Sequence, residues 1–144
     1  KCGDGAIRAW AVGKSDTENT ARKKAQTEAA AELAAILNRV VEETTEEYST
    51  TLSGGLEAES RSFLKDKVKV TVNETLQGAT IVCDEWTHDE ATGQYANYIT
   101  LELQGEEFLK KLFEKLGKSR QLDEELARKL FLQHIEQVGR QTSE

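Results

Sequence analysis

The stretch ARKKAQTEAAAELAAILNRVV, Ala21–Val41, decides the fold. At 100° per residue, Ala29, Ala30, Leu33, Ile36, Leu37, Val40 and Val41 share one face of a helix, and Lys24, Glu28, Glu32, Arg39 and Glu42 lie opposite. Alanine is the best helix former, so local propensity agrees with this pattern. The first half of the stretch offers methyl groups where a core usually has leucine. The helix axis is therefore expected to lie close to whatever it covers. Leu33, Ile36, Leu37 and Val40 then supply burial worth ~1.5–3 kcal/mol each when fully covered.

Upstream, AIRAWAVG (Ala6–Gly13) reads as a first strand with Arg8 as its only charge. Ile7, Ala9 and Ala11 alternate onto one face, and their small side chains suit an alanine-rich helix. Gly13 and the polar KSDTEN break the strand, and Ser15, Asp16 and Thr17 are candidate caps for a helix that begins near Glu18. The helix is expected to run past Glu46 until SGG at 53–55. Residues 56–76 support two readings. Leu64, Val68, Val72 and Leu76 recur at helical spacing, whereas Val68, Val70 and Val72 alternate like a strand. The longer pattern selects helix. GATIVCDEWTHDEATGQYANYITLEL then reads as a β-hairpin, with strands near 79–88 and 94–103 and a turn around Glu90–Gly93. Two helices follow. Phe108, Leu109, Leu112, Phe113 and Leu116 share a face in the first, which Gly117 is placed to end. Leu122, Leu126, Leu130, Phe131, Ile135 and Val138 share a face in the second, with Asp123, Glu124 and Glu125 complementing the dipole at its start.

The expected fold is α+β: an antiparallel sheet of about three strands with a long Ala-rich helix on one face. Residues 1–104 form that domain, and residues 105–144 form a C-terminal helical hairpin packed on it. A chain of 144 residues suits this organisation. No run approaches the ~18 apolar residues of a membrane span. The opening KCGDG lacks a methionine, which suggests a trimmed or processed form. The net charge of −7 argues against a basic nucleic-acid-binding surface. The acid excess is concentrated in residues 1–104, with 18 acids against 11 Lys and Arg; residues 105–144 hold eight of each.

Cys2 and Cys83 fit no metal or redox motif, because neither belongs to a C-x-x-C pair. A disulfide between them requires folding outside the cytoplasm and neighbouring strands that bring the two together. The alternative is a buried small hydrophobe at Cys83 and a loose terminal thiol at Cys2. CDEWTHDE (Cys83–Glu90) is the richest polar cluster. Asp84, His88 and Glu90 carry metal-ligand chemistry in principle, but alternation sends Asp84 and His88 to one face and Glu85 to the other, with no second histidine nearby. A solvated hairpin end is the simpler reading. Trp86 and Tyr98 are candidates for an exposed aromatic patch of the kind that marks partner sites. His134 falls on the apolar face of the last helix, where either a core histidine with one satisfied nitrogen or a helix–helix contact is expected. Ser15 lacks the Gly-x-Ser-x-Gly elbow of a nucleophile, and AVGKSD lacks the glycine spacing of a P-loop.

Four segments in this order carry a family resemblance: AVGKS (Ala11–Ser15), ARKKAQTEAAAELA (Ala21–Ala34), GATIV (Gly78–Val82) leading to Trp86, and GQYANYITLEL (Gly93–Leu103). Across residues 6–103 the chain resembles the small bacterial envelope lipoproteins named for a 20-kDa antigen, whose core is related to the N-terminal domain of flagellar assembly protein T. The resemblance implies helices on one face of an antiparallel sheet. It also implies export to the periplasm or outer membrane, with membrane association only through a lipid anchor. It supplies no catalytic residue. A lipidated cysteine normally follows a small residue, and here Lys1 precedes Cys2. The functional expectation is a non-enzymatic envelope module without a cofactor, whose partner is another envelope protein or a second copy. The alternative is a metal-binding or small-ligand protein, or a hydrolase, that uses Asp84, His88 and Glu90. Self-assembly through the last helix would use Leu132, which lies off its main apolar stripe.

Overall fold

The computed structural model describes residues 6–51, 58–116 and 124–142. The expected break at 53–55, Gly117 as a helix end, Cys2, and Leu122 and Asp123 lie outside the described residues. The elements are β1 (Ala6–Ser15), α1 (Glu18–Thr51), α2 (Ala58–Gln77), β2 (Thr80–Asp89), β3 (Gln94–Gln104), α3 (Gly105–Leu116) and α4 (Glu124–Thr142). The fold is α+β, with one antiparallel three-stranded sheet in the order β1-β3-β2.

The helix α1 begins where Thr17 caps it. The Thr20 amide donates to Thr17 Oγ1 at 3.4 Å, and the Ala21 amide donates to the Thr17 carbonyl at 3.1 Å. Ser15 instead ends β1, opposite Tyr95. Ala21, Ala25, Ala29, Leu33 and Leu37 form a fully buried stripe along α1, continued by Val40 and Val41. Ala30, expected on this face, is exposed, because the buried stripe follows an i, i+4 course and leaves Ala30 on its flank.

The alanine half of α1 lies on the small residues of β1. Gly13 marks the closest approach: a methyl group there would fall onto the Ala21 carbonyl and the Ala25 amide. No side chain larger than hydrogen fits between the two backbones, which answers why this helix carries alanine rather than leucine. The Lys24 ammonium crosses the same gap to donate to the Lys14 carbonyl at 3.2 Å. The leucine half of α1 shares its core with the larger sheet residues Ile7, Leu101 and Leu103 and with the other helices. Phe108 of α3 stacks on Phe131 of α4 with ring centroids 5.3 Å apart. Phe131, Ile135 and Val138 of α4 belong to the same core as Leu33 and Leu37.

The two last helices touch through the Phe108–Phe131 stack, and each also packs on a further neighbour, α3 chiefly on α2 and α4 chiefly on α1. Leu132, expected to face outward, packs against the core.

The ambiguous segment is helical. Val72 is buried, and Val68 and Leu76 pack partly on the core, while Val70 is 48% exposed. Thr71 and Thr75 are also buried in α2. Their hydroxyls donate to the Lys67 and Thr71 carbonyls at 2.6 and 2.8 Å, which satisfies them within the helix.

Candidate interaction surface

Strand register sorts the sheet residues into two faces. The inner face, towards α1, carries Ile7, Ala9, Ala11, Gly13 and Ser15 of β1 opposite Leu103, Leu101, Ile99, Asn97 and Tyr95 of β3. Its β2 column is Ile81, Asp84, Trp86 and His88. The outer face carries Arg8, Trp10, Val12 and Lys14 opposite Glu102, Thr100, Tyr98 and Ala96, and then Thr80, Cys83, Glu85 and Thr87. A register shift between Ile81 and Cys83 leaves Val82 as an extra, unpaired residue. This bulge reverses the parity of everything after it.

The bulge decides the site. Tyr98 faces outward, and Trp86, opposite Asn97, faces inward. The two therefore do not form the single aromatic patch expected from sequence. The exposed aromatic residue beside Tyr98 is Trp10, 67% exposed in the middle of β1. The signal was present in AIRAWAVG: if Ile7, Ala9 and Ala11 face the helix, Trp10 cannot. Val12 lies directly opposite Tyr98, and Trp10 opposite Thr100. An Arg8–Glu102 ion pair, 2.7 Å, borders this row at one end. The result is an apolar strip on a sheet face that no described element covers, bordered by charge.

The inner column of β2 is only lightly roofed. Every residue of β2 is exposed except Trp86, which is half-buried. Arg22 of α1 reaches across to it. Its guanidinium lies 5.5 Å from the Trp86 ring centroid and 2.7 Å from Asp84 Oδ2. Asp84 Oδ1 accepts from Asn97 Nδ2 at 2.8 Å, and the same Nδ2 donates to the Glu85 carbonyl at 3.1 Å. The Asn97 hydrogen bond and then the Arg22 hydrogen bond hold the Asp84 carboxyl below its ordinary value; partial desolvation opposes them. Asn97 Oδ1 is buried with no hydrogen-bond partner.

The residues of the alternative ligand set are otherwise engaged. Asp84 is committed to Arg22 and Asn97, and His88 stacks on Tyr95 with centroids 4.3 Å apart. Glu90 lies in the exposed turn. Among the described residues, no three His, Cys, Asp or Glu side chains converge to hold a metal ion. Cys83 is an exposed free thiol, not a buried hydrophobe, because the register turns it to the outer face, which no described element covers. In the sheet order β3 separates β1 from β2, and Cys2 lies outside the described residues.

His134 sits between α4 and α1. Its Nε2 is hydrogen-bonded to Glu47 at 2.7 Å. Its Nδ1 is buried without a hydrogen bond, 3.3 Å from a Glu43 oxygen. This is a helix–helix contact whose carboxylates come from α1, which the local sequence around His134 did not reveal. An apolar hollow between α1, α2, α3 and α4 is lined by Val41, Tyr48, Val68, Phe108 and Phe131 among others. The Thr44 and Thr45 hydroxyls on its wall donate to the Val40 and Val41 carbonyls, so their protons are already used within the helix. No described helix is long and apolar enough to cross a membrane. Compared with family models, curated proteins and solved structures, the chain finds no match.

Proposed function

We propose that this protein is a non-enzymatic module that binds another protein through the outer face of its sheet. The observation that carries this reading is Trp10, 67% exposed on a face that no described element covers, beside Tyr98. A tryptophan left open in mid-strand costs solubility, and aromatic residues of this kind dominate binding energy once a partner buries them. The strip spans on the order of a few hundred Å², the size range in which surface patches on monomers are often functional. Obligate homodimers commonly bury about 2,000–5,000 Å² in total and transient complexes under about 1,200 Å², so a strip of this size fits a transient partner better than a permanent second copy. The envelope location is part of the same proposal and rests on the resemblance of residues 6–103; an export segment ending in a small residue before a cysteine, sought in the encoding gene, would support it, and finding none there would count against it.

Site-specific photocrosslinking tests the binding face. A benzophenone side chain at position 10 or 98, introduced in the native host, is expected to give a discrete adduct. The same group at Arg39, exposed on α1, is expected to give none. Adducts of equal yield from all three positions, or from none, would overturn the reading. So would a dimer in sedimentation that dissociates on Trp10→Asp, since the partner would then be a second copy.

A further inference from the structure

We propose that β2 is a docking edge for an extended basic segment of another protein, which joins the sheet as a fourth strand beside β2. The inference rests on reading the chain as an interaction module, and it assigns the partner's conformation and charge. β2 is an outer strand of ten residues, and among the described residues it pairs with β3 on one side only. About half of its backbone N–H and C=O groups therefore point away from the sheet, the template used in strand addition. Natural edges are commonly guarded by lysine, proline, a bulge or a covering element. β2 has the bulge at Val82 and acidic side chains, Asp84 on the inner face among them, which guard it against neutral or acidic strands; it has neither lysine nor proline, and all its residues but Trp86 stand exposed.

Charge selects the occupant. Residues 78–98 hold four acids, Asp84, Glu85, Asp89 and Glu90, and no Lys or Arg. Arg22 reaches only Asp84. Glu85, Asp89 and Glu90 have no cationic partner among the described residues. A second copy of β2 is disfavoured by the same charges. The antiparallel registers centred on Asp84 and Glu85 pair the most residues, and they set carboxylates opposite carboxylates. A basic strand meets the opposite condition. Ile81 and Val82, 43% and 44% exposed, add an apolar stretch at the start of β2. The complementary segment, running antiparallel like the rest of the sheet, has lysine or arginine in its first half and aliphatic residues in its second.

The test uses the full chain and the amidated peptide KTKTKVTVTV. Saturating peptide is expected to slow exchange of alternate β2 amides at least about tenfold. Its acidic counterpart ETETEVTVTV, and a version N-methylated at alternate residues, should each bind at least about tenfold more weakly. Glu85→Lys combined with Glu90→Lys should reverse the preference between the basic and acidic peptides. Absence of binding overturns the proposal. Equal binding of the N-methylated peptide also overturns it, because charge alone would then suffice. Movement of the Trp10 indole signal without β2 protection places the peptide on the open face; that removes the edge proposal and leaves the binding face standing. Loss of crosslinks at positions 10 and 98 with β2 protection intact does the reverse.

Discussion

Gly13 sets the distance between helix and sheet. Its hydrogen faces the backbone of α1, and the atoms a methyl group would meet are backbone atoms that cannot rotate away. Gly13→Ala is therefore expected to destabilise the protein by at least the ~1–3 kcal/mol of ordinary overpacking, read as a lower urea midpoint with an unchanged slope. Asp84 gives a second residue-level prediction. Its folded carboxyl ionises more readily than in the unfolded chain, so its contribution is full above the ordinary value of 3.8 and is lost as pH falls below that through the lowered folded value. Asp84→Asn is expected to cost on the order of 1 kcal/mol at neutral pH, since the pair is partly solvated. The gap between variant and wild type should close in urea titrations carried out well below pH 3.8. A gap that persists there would mean the carboxylate charge is not what stabilises the site.

At the scale of the element, α2 shows how packing resolves an ambiguous pattern. Its valines satisfy a strand reading until Val70 is found exposed and Val72 buried. Val72→Ala is expected to cost about 2 kcal/mol, from lost burial plus a cavity, and Val70→Ala within about 0.5 kcal/mol, both by thermal unfolding. Equal costs would indicate that both side chains are covered. The bulge in β2 is the complementary case. Alternation within Asp84–His88 was legible, and Asp84 and His88 do share a face. Which face they share was not, because one extra residue at Val82 reverses parity and nothing in IVCDEW announces it. Trp86 thus left the expected patch to lie under Arg22, and Trp10 took its place.

Taken whole, the molecule joins both ends of α1 into one core. Small residues seal the sheet end, and Leu33 and Leu37 connect it to Phe108 and Phe131. If α4 is integral to that core, Phe131→Ala should lower stability by about 3–5 kcal/mol in a single cooperative transition. A separate early transition confined to α4 would instead mark it as a detachable appendage. Composition and periodicity were enough to establish the α+β class, the order of elements and the placement of the alanine helix on a strand of small residues. These follow from spacing within one segment, where geometry is local. Tertiary structure decided what depends on partners distant in sequence: which face the β2 residues after the bulge present, the carboxylates around His134, and the face and edge that no described element covers. Each turns on which surfaces meet, and a helix or strand pattern specifies which side is apolar without specifying what arrives to cover it.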